Sequence, residues 1–280
     1  MTEPSGVAAE TDQSDPSDQE RERLRRTFTE DAGLYDRMRP GYPPRVYDDL
    51  ADLAGAGPGC RVLEVGAGTG KATVPLAGRG CRIVAVELGR AMAAVARRRL
   101  AGHPDAEVVV AEFETWPLPP LPFDLVLAAT SWHWIAPRVR VAKAAAALRP
   151  GGSLATVSTH HIKGGTEPFF AASQRCYEHF DPTTPPDITL RPASEIPQDE
   201  EELVTSGRFE PAVFRRYEWD ATYTTQQYLD LLSTYSGHRD LAPVARAGLY
   251  ESLAGLVDGR HGGRITKRHM TELRPARVLE

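Results

Sequence analysis

From residue 60 onward, short apolar runs alternate with longer stretches whose apolar positions recur every three or four residues. The runs "CRVLEV" (60–65), "CRIVAVE" (81–87), "AEVVVAE" (106–112), "FDLVLAAT" (123–130) and "GGSLATVST" (151–159) read as five buried strands. Residues 70–79, 89–101 and 137–148 read as the helices between them, the second carrying Ala, Met, Val and Leu on one face. Apolar strands separated by helices predict a parallel sheet covered on both sides. Right-handed crossovers then make it a doubly wound α/β fold. Pro75 fits the first of these helices if the helix starts near Lys71 or Ala72, because the first four N–H groups have no acceptor inside a helix.

The flanks follow other patterns. Residues 1–19 are polar, acidic and free of aromatics, which predicts a disordered tail. A helical pattern begins at Glu20, with Leu24 and Phe28 four apart. Pro40, Pro43 and Pro44 then break the chain before a helix with Val46, Tyr47, Leu50 and Leu53 on one face. After residue 160 a helix is expected over 167–180, followed by the proline-rich "DPTTPPDITLRPASEIP". Residues 209–224 have strand character, 225–236 and 240–258 helical character, and 262–277 read as a last strand. Such late strands would extend the sheet in antiparallel fashion. The expected organisation is a tail (1–19), a helical cap (20–57), a cofactor-binding core (58–160) and a substrate-side region (161–280) that completes the same domain.

At 280 residues and 41% hydrophobic, the chain is long enough for a sizeable core. Its net charge of -5, with both signs mixed along the chain, argues against a general nucleic-acid binder. No basic stripe with interleaved aromatics points to RNA or DNA. The three cysteines show no CxxC spacing, so neither disulfides nor a bound metal are expected, and a reducing cytoplasm fits. No basic-then-apolar leader and no bilayer-length apolar run is present, so a soluble cytoplasmic protein without membrane contact is expected.

The chemistry concentrates in "VLEVGAGTGKAT" (62–73), where Gly66, Gly68 and Gly70 punctuate a strand-to-helix turn at the carboxyl edge of the sheet. Dinucleotide sites use GxGxxG, but Lys71 stands where the third glycine belongs. The GxxxxGK[ST] phosphate loop does not fit either, since Gly66 and Gly70 are four apart and Ala72 follows Lys71. Glu64 would repel a pyrophosphate, yet suits a ligand carrying an ammonium or sulfonium. Glu87, at the end of the second strand, can accept hydrogen bonds from both ribose hydroxyls, a feature shared with NAD sites.

Together, "VLEVGAGTGKAT", "VAVELGRAMAAVA", "EFETWPLPPLPFDLVLAATSWHW" and "LRPGG" resemble the successive motifs of class I S-adenosylmethionine-dependent methyltransferases. The resemblance is strong over residues 20–160. "YDRMRPGYP", "YLDLLSTYSGHRDL" and "GGRITKRHMTEL" resemble a bacterial small-molecule subgroup of that superfamily. The resemblance implies the Rossmann-like methyltransferase fold, seven strands with an antiparallel last strand plus helical cap elements, and S-adenosylmethionine as cofactor. It implies that Glu64 and the backbone of Gly66, Ala67, Gly68 and Gly70 face the methionine moiety. Glu87 would hold the ribose, Leu88 cover one adenine face, and Glu112 and Phe113 meet the adenine edge and ring. Ala129 and Thr130 would lie beside the sulfonium. Tyr35 and Arg39 would close over the cofactor, with Arg39 reaching its carboxylate.

"SWHWI" (131–135) follows the strand whose end should face the transferable methyl. Trp132 and Trp134 would wall the substrate site, and aromatic faces stabilise a sulfonium. His133 could take a proton from an oxygen or nitrogen nucleophile, or merely pack. His160 and His161, after the fifth strand, are further candidates for that base. The aromatic residues Phe169, Phe170, Tyr177, Phe180, Tyr223, Tyr228 and Tyr235 would line an apolar cavity or belong to the core. The expected activity is methyl transfer to O or N of a small molecule, in secondary metabolism. Open alternatives are cyclisation of the cofactor or transfer of another of its groups, a non-catalytic binding protein, and a nicotinamide-dependent oxidoreductase.

Overall fold

The computed structural model describes residues 31–279. The expected tail and the helix with Leu24 and Phe28 lie outside the described residues. Two helices lead in: α1 (Ala32–Met38), capped by the Asp31 side chain, and α2 (Pro44–Ala54), with Pro44 at its first turn and Gly55 closing it at φ 69°. Then come β1 (Arg61–Val65), α3 (Thr73–Gly78), β2 (Arg82–Glu87), α4 (Arg90–Arg99), β3 (Ala106–Val110) and β4 (Phe123–Ala129). After a 3-10 turn at Trp132–Trp134 follow α5 (Pro137–Ala147), β5 (Leu148–Ile162) and α6 (Glu167–Phe180). The remainder is α7 (Glu201–Thr205), β6 (Arg215–Thr224), α8 (Thr225–Leu232), α9 (Ser236–Asp240), α10 (Pro243–His261) and β7 (Arg264–Arg277).

Seven strands form one sheet in the order β3-β2-β1-β4-β5-β7-β6. β1 pairs in parallel with β2 and with β4, β2 with β3, and β4 with β5. The last strands run antiparallel, as expected. Strand order reverses at β1, between β2 and β4, and in open α/β sheets that is where ligands bind. Pro75 is the third residue of α3, inside the turn whose N–H groups need no helical acceptor.

Several boundaries differ from the sequence reading. β5 runs to Ile162 rather than ending at 159, so His160 and His161 lie within a strand. The strand expected from 209 begins at Arg215, and Phe209 makes only an isolated antiparallel bridge to Val278. Pro211, which has no N–H to give a ladder, sits between them. The helix expected over 225–236 stops at Leu232 and restarts as the short α9.

The chain divides into two compact units. Among the described residues, the first comprises 31–39, Thr159–Pro197 and Glu218–Met270; the second comprises Pro40–Ser158, Gln198–Tyr217 and 271–279. In the second unit the alternation of strand side chains separates two cores. Val62, Ile83, Leu125 and Leu127 pack with Leu50 of α2, Leu76 of α3 and Ala93 of α4. Leu63, Val65, Val86 and Val126 pack with Val141 and Ala144 of α5 and Leu203 of α7. The first unit has its own core of Phe169, Phe170, Tyr177, Tyr228, Leu231, Leu249, Leu253 and Val257. The aromatics expected around a cavity are therefore core here, with Tyr223 also buried and Phe180 and Tyr235 partly buried against them.

Candidate functional site

The second unit presents its site at the carboxyl ends of β1, β2 and β4. Glu64, on β1, is 1% exposed, and its Oε2 atom has no hydrogen-bond partner among the described residues. Burial pushes its carboxyl up to about 8; the Thr73 hydroxyl draws it back somewhat, and the nearby Glu87 carboxylate adds to the rise. An orphaned acid buried beside a ligand turn is what an ammonium-bearing ligand would satisfy.

The turn after β1 leaves the strand at Gly66, whose N–H donates to the Val86 carbonyl at 2.9 Å. Gly66 has φ 70°, and a Cβ there would lie 2.6 Å from Cβ of Ser131. Only glycine fits both the dihedral and that approach. Gly68 is different: a side chain there would meet nothing within 4 Å, so its backbone borders open space. Glu87 pins this loop. Its Oε2 accepts from Gly68 N–H at 2.8 Å and its Oε1 from Gly89 N–H at 2.7 Å. Leu88 is 41% exposed, a large apolar side chain left partly open to solvent.

The next loop is tied down from beneath. Lys143 of α5 donates to the Glu114 carbonyl at 3.0 Å and to that of Trp116, and its ammonium stands 5.3 Å from the Phe113 ring. Burial holds the Lys143 pKa below the ordinary lysine value. Glu112 is half-buried at the start of this loop, whereas Phe113 is 3% exposed and packs in the Leu63–Val126 core.

At the end of β4, Ala129 is half-buried and Thr130 adopts φ 55°, a left-handed conformation that costs a β-branched residue energy. Thr130 N–H donates to the Val157 carbonyl at 2.7 Å, and its hydroxyl is hydrogen-bonded to that of Tyr42 at 2.9 Å. The Ser131 hydroxyl donates to the Val65 carbonyl, joining the ends of β4 and β1. Trp132, expected as a wall for substrate, is 7% exposed, and its indole N–H donates to Glu202. His133 and Trp134 are half-buried, with ring centroids 4.7 Å apart.

Glu64, Gly66, Ala67, Gly68, Gly70, Glu87, Leu88, Glu112, Phe113, Ala129, Thr130 and Trp132–Trp134 thus all belong to one unit. Tyr35, Arg39 and His160 belong to the other. There Arg39 donates to the Thr234 hydroxyl at 2.8 Å and its carbonyl at 3.2 Å, and its guanidinium stacks 3.8 Å from the Tyr235 ring centroid. His161 meets Phe170 edge-on at 4.5 Å. Tyr42, Ser131 and Glu202 were not singled out in the sequence. Tyr42 lies in the quoted "YDRMRPGYP", but nothing there separates it from Tyr35; Glu202 stands among other acids with no pattern to mark it.

Residues 62–152 match a family model described as a methyltransferase domain. The chain is 39% identical over 131 residues to an uncharacterized methyltransferase of Mycobacterium tuberculosis, covering 47% of this chain and 51% of that one. It is 31% identical over 133 residues to one of Schizosaccharomyces pombe, covering 47% and 52%. The chain therefore spans about half the length of the curated relatives it matches. Among solved structures, a candidate type II methyltransferase from Anaeromyxobacter dehalogenans superposes with a TM-score of 0.62 at 24% identity, over 86% of this chain and 98% of that one. A phosphoethanolamine N-methyltransferase of Haemonchus contortus, solved with S-adenosylhomocysteine, gives 0.52 at 18% identity, over 93% and 60%. No helix among the described residues is long and apolar enough to cross a membrane. Over residues 62–152, the chain is thus similar to a methyltransferase domain.

Proposed function

We propose that this chain transfers the methyl group of S-adenosylmethionine to an oxygen or nitrogen atom of a small molecule. The observation that carries the reading is Glu64: a buried acid with an orphaned oxygen, at a glycine turn that fits neither phosphate-binding pattern. Glu64 holds the ligand's ammonium. Glu87, aimed by the amides of Gly68 and Gly89, takes the ribose hydroxyls. Leu88 covers an adenine face and Glu112 meets its edge, while Phe113, buried in the core, supports the loop from below.

When bound, S-adenosylmethionine supplies a methyl carbon already activated by a sulfonium. The protein's work is orientation, which alone can be worth ~7–11 kcal/mol. Ala129 and Thr130 close the site beside the sulfur, and the Tyr42 hydroxyl fixes Thr130. His133, on the following turn, accepts a proton from the nucleophile, a contribution on the order of 10²–10⁴-fold. The net charge of -5 supports a small acceptor over a polyanion.

Calorimetry with S-adenosylhomocysteine tests the reading. Below about pH 8 the unbound Glu64 carries a proton, and an ammonium beside it drives that proton off. Binding at pH 6.5 should therefore release close to one proton, read as a dependence of the measured heat on the buffer's ionisation enthalpy, and affinity should rise from pH 6 to 8. A chain that takes up NAD or ATP while ignoring S-adenosylhomocysteine overturns the proposal.

A further inference from the structure

Glu202, on α7, lies fifty residues past the segment that matches the family model. Its carboxylate gathers donors from three places. Oε2 accepts from Arg140 Nε at 2.7 Å, while Oε1 accepts from the Trp132 indole and faces Arg274 Nη2 at 3.4 Å. Arg140 Nη1 also donates to the Trp132 carbonyl at 3.2 Å, and its guanidinium stands 5.5 Å from the Trp132 ring. Arg274, on β7, donates through Nε to the Thr156 hydroxyl of β5 at 3.0 Å and through Nη1 to the Asp199 carbonyl. Both the ring and the backbone of residue 132 are thus tied to one carboxylate. The next residue back completes a path to the glycine turn: the Ser131 hydroxyl bonds the Val65 carbonyl, and its Cβ occupies the space a side chain at Gly66 would need.

We propose that Glu202, braced by Arg140 and Arg274, is a positioning residue for the cofactor turn. It fixes Trp132, and through Ser131 the course of Val65 and Gly66 next to Glu64. This rests on the cofactor reading above. The side chains of Arg140, Arg274 and Glu202 are 8%, 11% and 24% exposed. Buried ion clusters of this kind are often no more stabilising than apolar residues of similar volume, so stability and positioning can be separated.

The test compares Glu202→Gln, Trp132→Phe, and the charge-free triple Arg140→Met, Glu202→Met and Arg274→Met. Each is measured for melting temperature, for affinity toward S-adenosylhomocysteine, and for the fluorine resonance of Trp134 in 5-fluorotryptophan-labelled protein. Trp134 shares the turn, so its resonance reports the placement of that turn. Glu202→Gln should weaken binding roughly 2- to 30-fold, the scale of coupling through packed networks. It should also displace the Trp134 resonance. Trp132→Phe, which keeps an aromatic ring but loses the indole donor and part of its volume, should weaken binding in the same direction. The charge-free triple should recover the melting temperature of the parent chain while its affinity stays reduced. Affinity that returns with the melting temperature, or a folded Glu202→Gln chain with unchanged affinity and an unmoved resonance, overturns the proposal and leaves the cofactor reading standing. A parent chain that ignores S-adenosylhomocysteine removes both.

Discussion

Glu64 keeps a proton that an exposed glutamate gives up well below neutral pH. Its folded value of about 8 lies above the ordinary 4.5, so the folded form binds the proton more tightly than the unfolded chain does. Its contribution to stability is therefore full below about pH 4.5 and is lost as pH rises through about 8. Glu64→Gln abolishes this titration. Chemical denaturation of the unliganded chain should show a flatter stability profile from pH 5 to 8 in the variant, and greater stability than the parent at pH 8. The same variant should bind S-adenosylhomocysteine roughly 10- to 100-fold more weakly, since a hydrogen bond to a charged group is worth about 1.5–3 kcal/mol. Two glycines make a second residue-level contrast. Gly66→Ala meets Ser131 at 2.6 Å, so it should cost about 1–3 kcal/mol for crowding and ~1–2 kcal/mol for handedness. Gly68→Ala meets nothing within 4 Å, so only the second cost applies. Its methyl points into the space the ligand would take, and calorimetry should show binding falling further than stability.

At the level of elements, the turn after β4 carries the strain and the bonds that resist it. Tyr42→Phe removes the hydroxyl that meets Thr130. The expected loss is about 1 kcal/mol, or ~2–4 °C in melting temperature for a chain of this size. The five parallel strands were legible because a strand buried on both faces must be a continuous apolar run, and Ile83–Val86 and Leu125–Ala128 are such runs. The helix starts at Pro44 and Pro137 are likewise local chemistry. What resisted reading is pairing across the chain. Tyr42 meets Thr130 across 88 positions and Trp132 meets Glu202 across 70, and neither leaves a periodic trace. Trp132 was conspicuous as an aromatic at a strand end, but nothing in the sequence tells whether an indole there points outward or into the fold.

On the scale of the molecule, the segment recognised as a methyltransferase domain is less than a folding unit. Leu50, Leu154, Leu203 and Leu273 are each 0% exposed, and all four lie outside residues 62–152. A fragment of 62–152 alone should show no cooperative melting by circular dichroism and should be digested rapidly by protease. Both units are stitched from separated stretches, with changeovers after residues 39, 158, 197, 217 and 270. A ribosome delivers the chain in one direction only. The unit ending at Met270 cannot close before that residue emerges, and the unit holding Leu273 waits slightly longer. Nearly all the apolar strands are therefore synthesised before either core can seal, a long interval of exposure in which chaperone capture is favoured. A nonsense mutation just after Gly263 would remove all of β7 and so deprive both units at once.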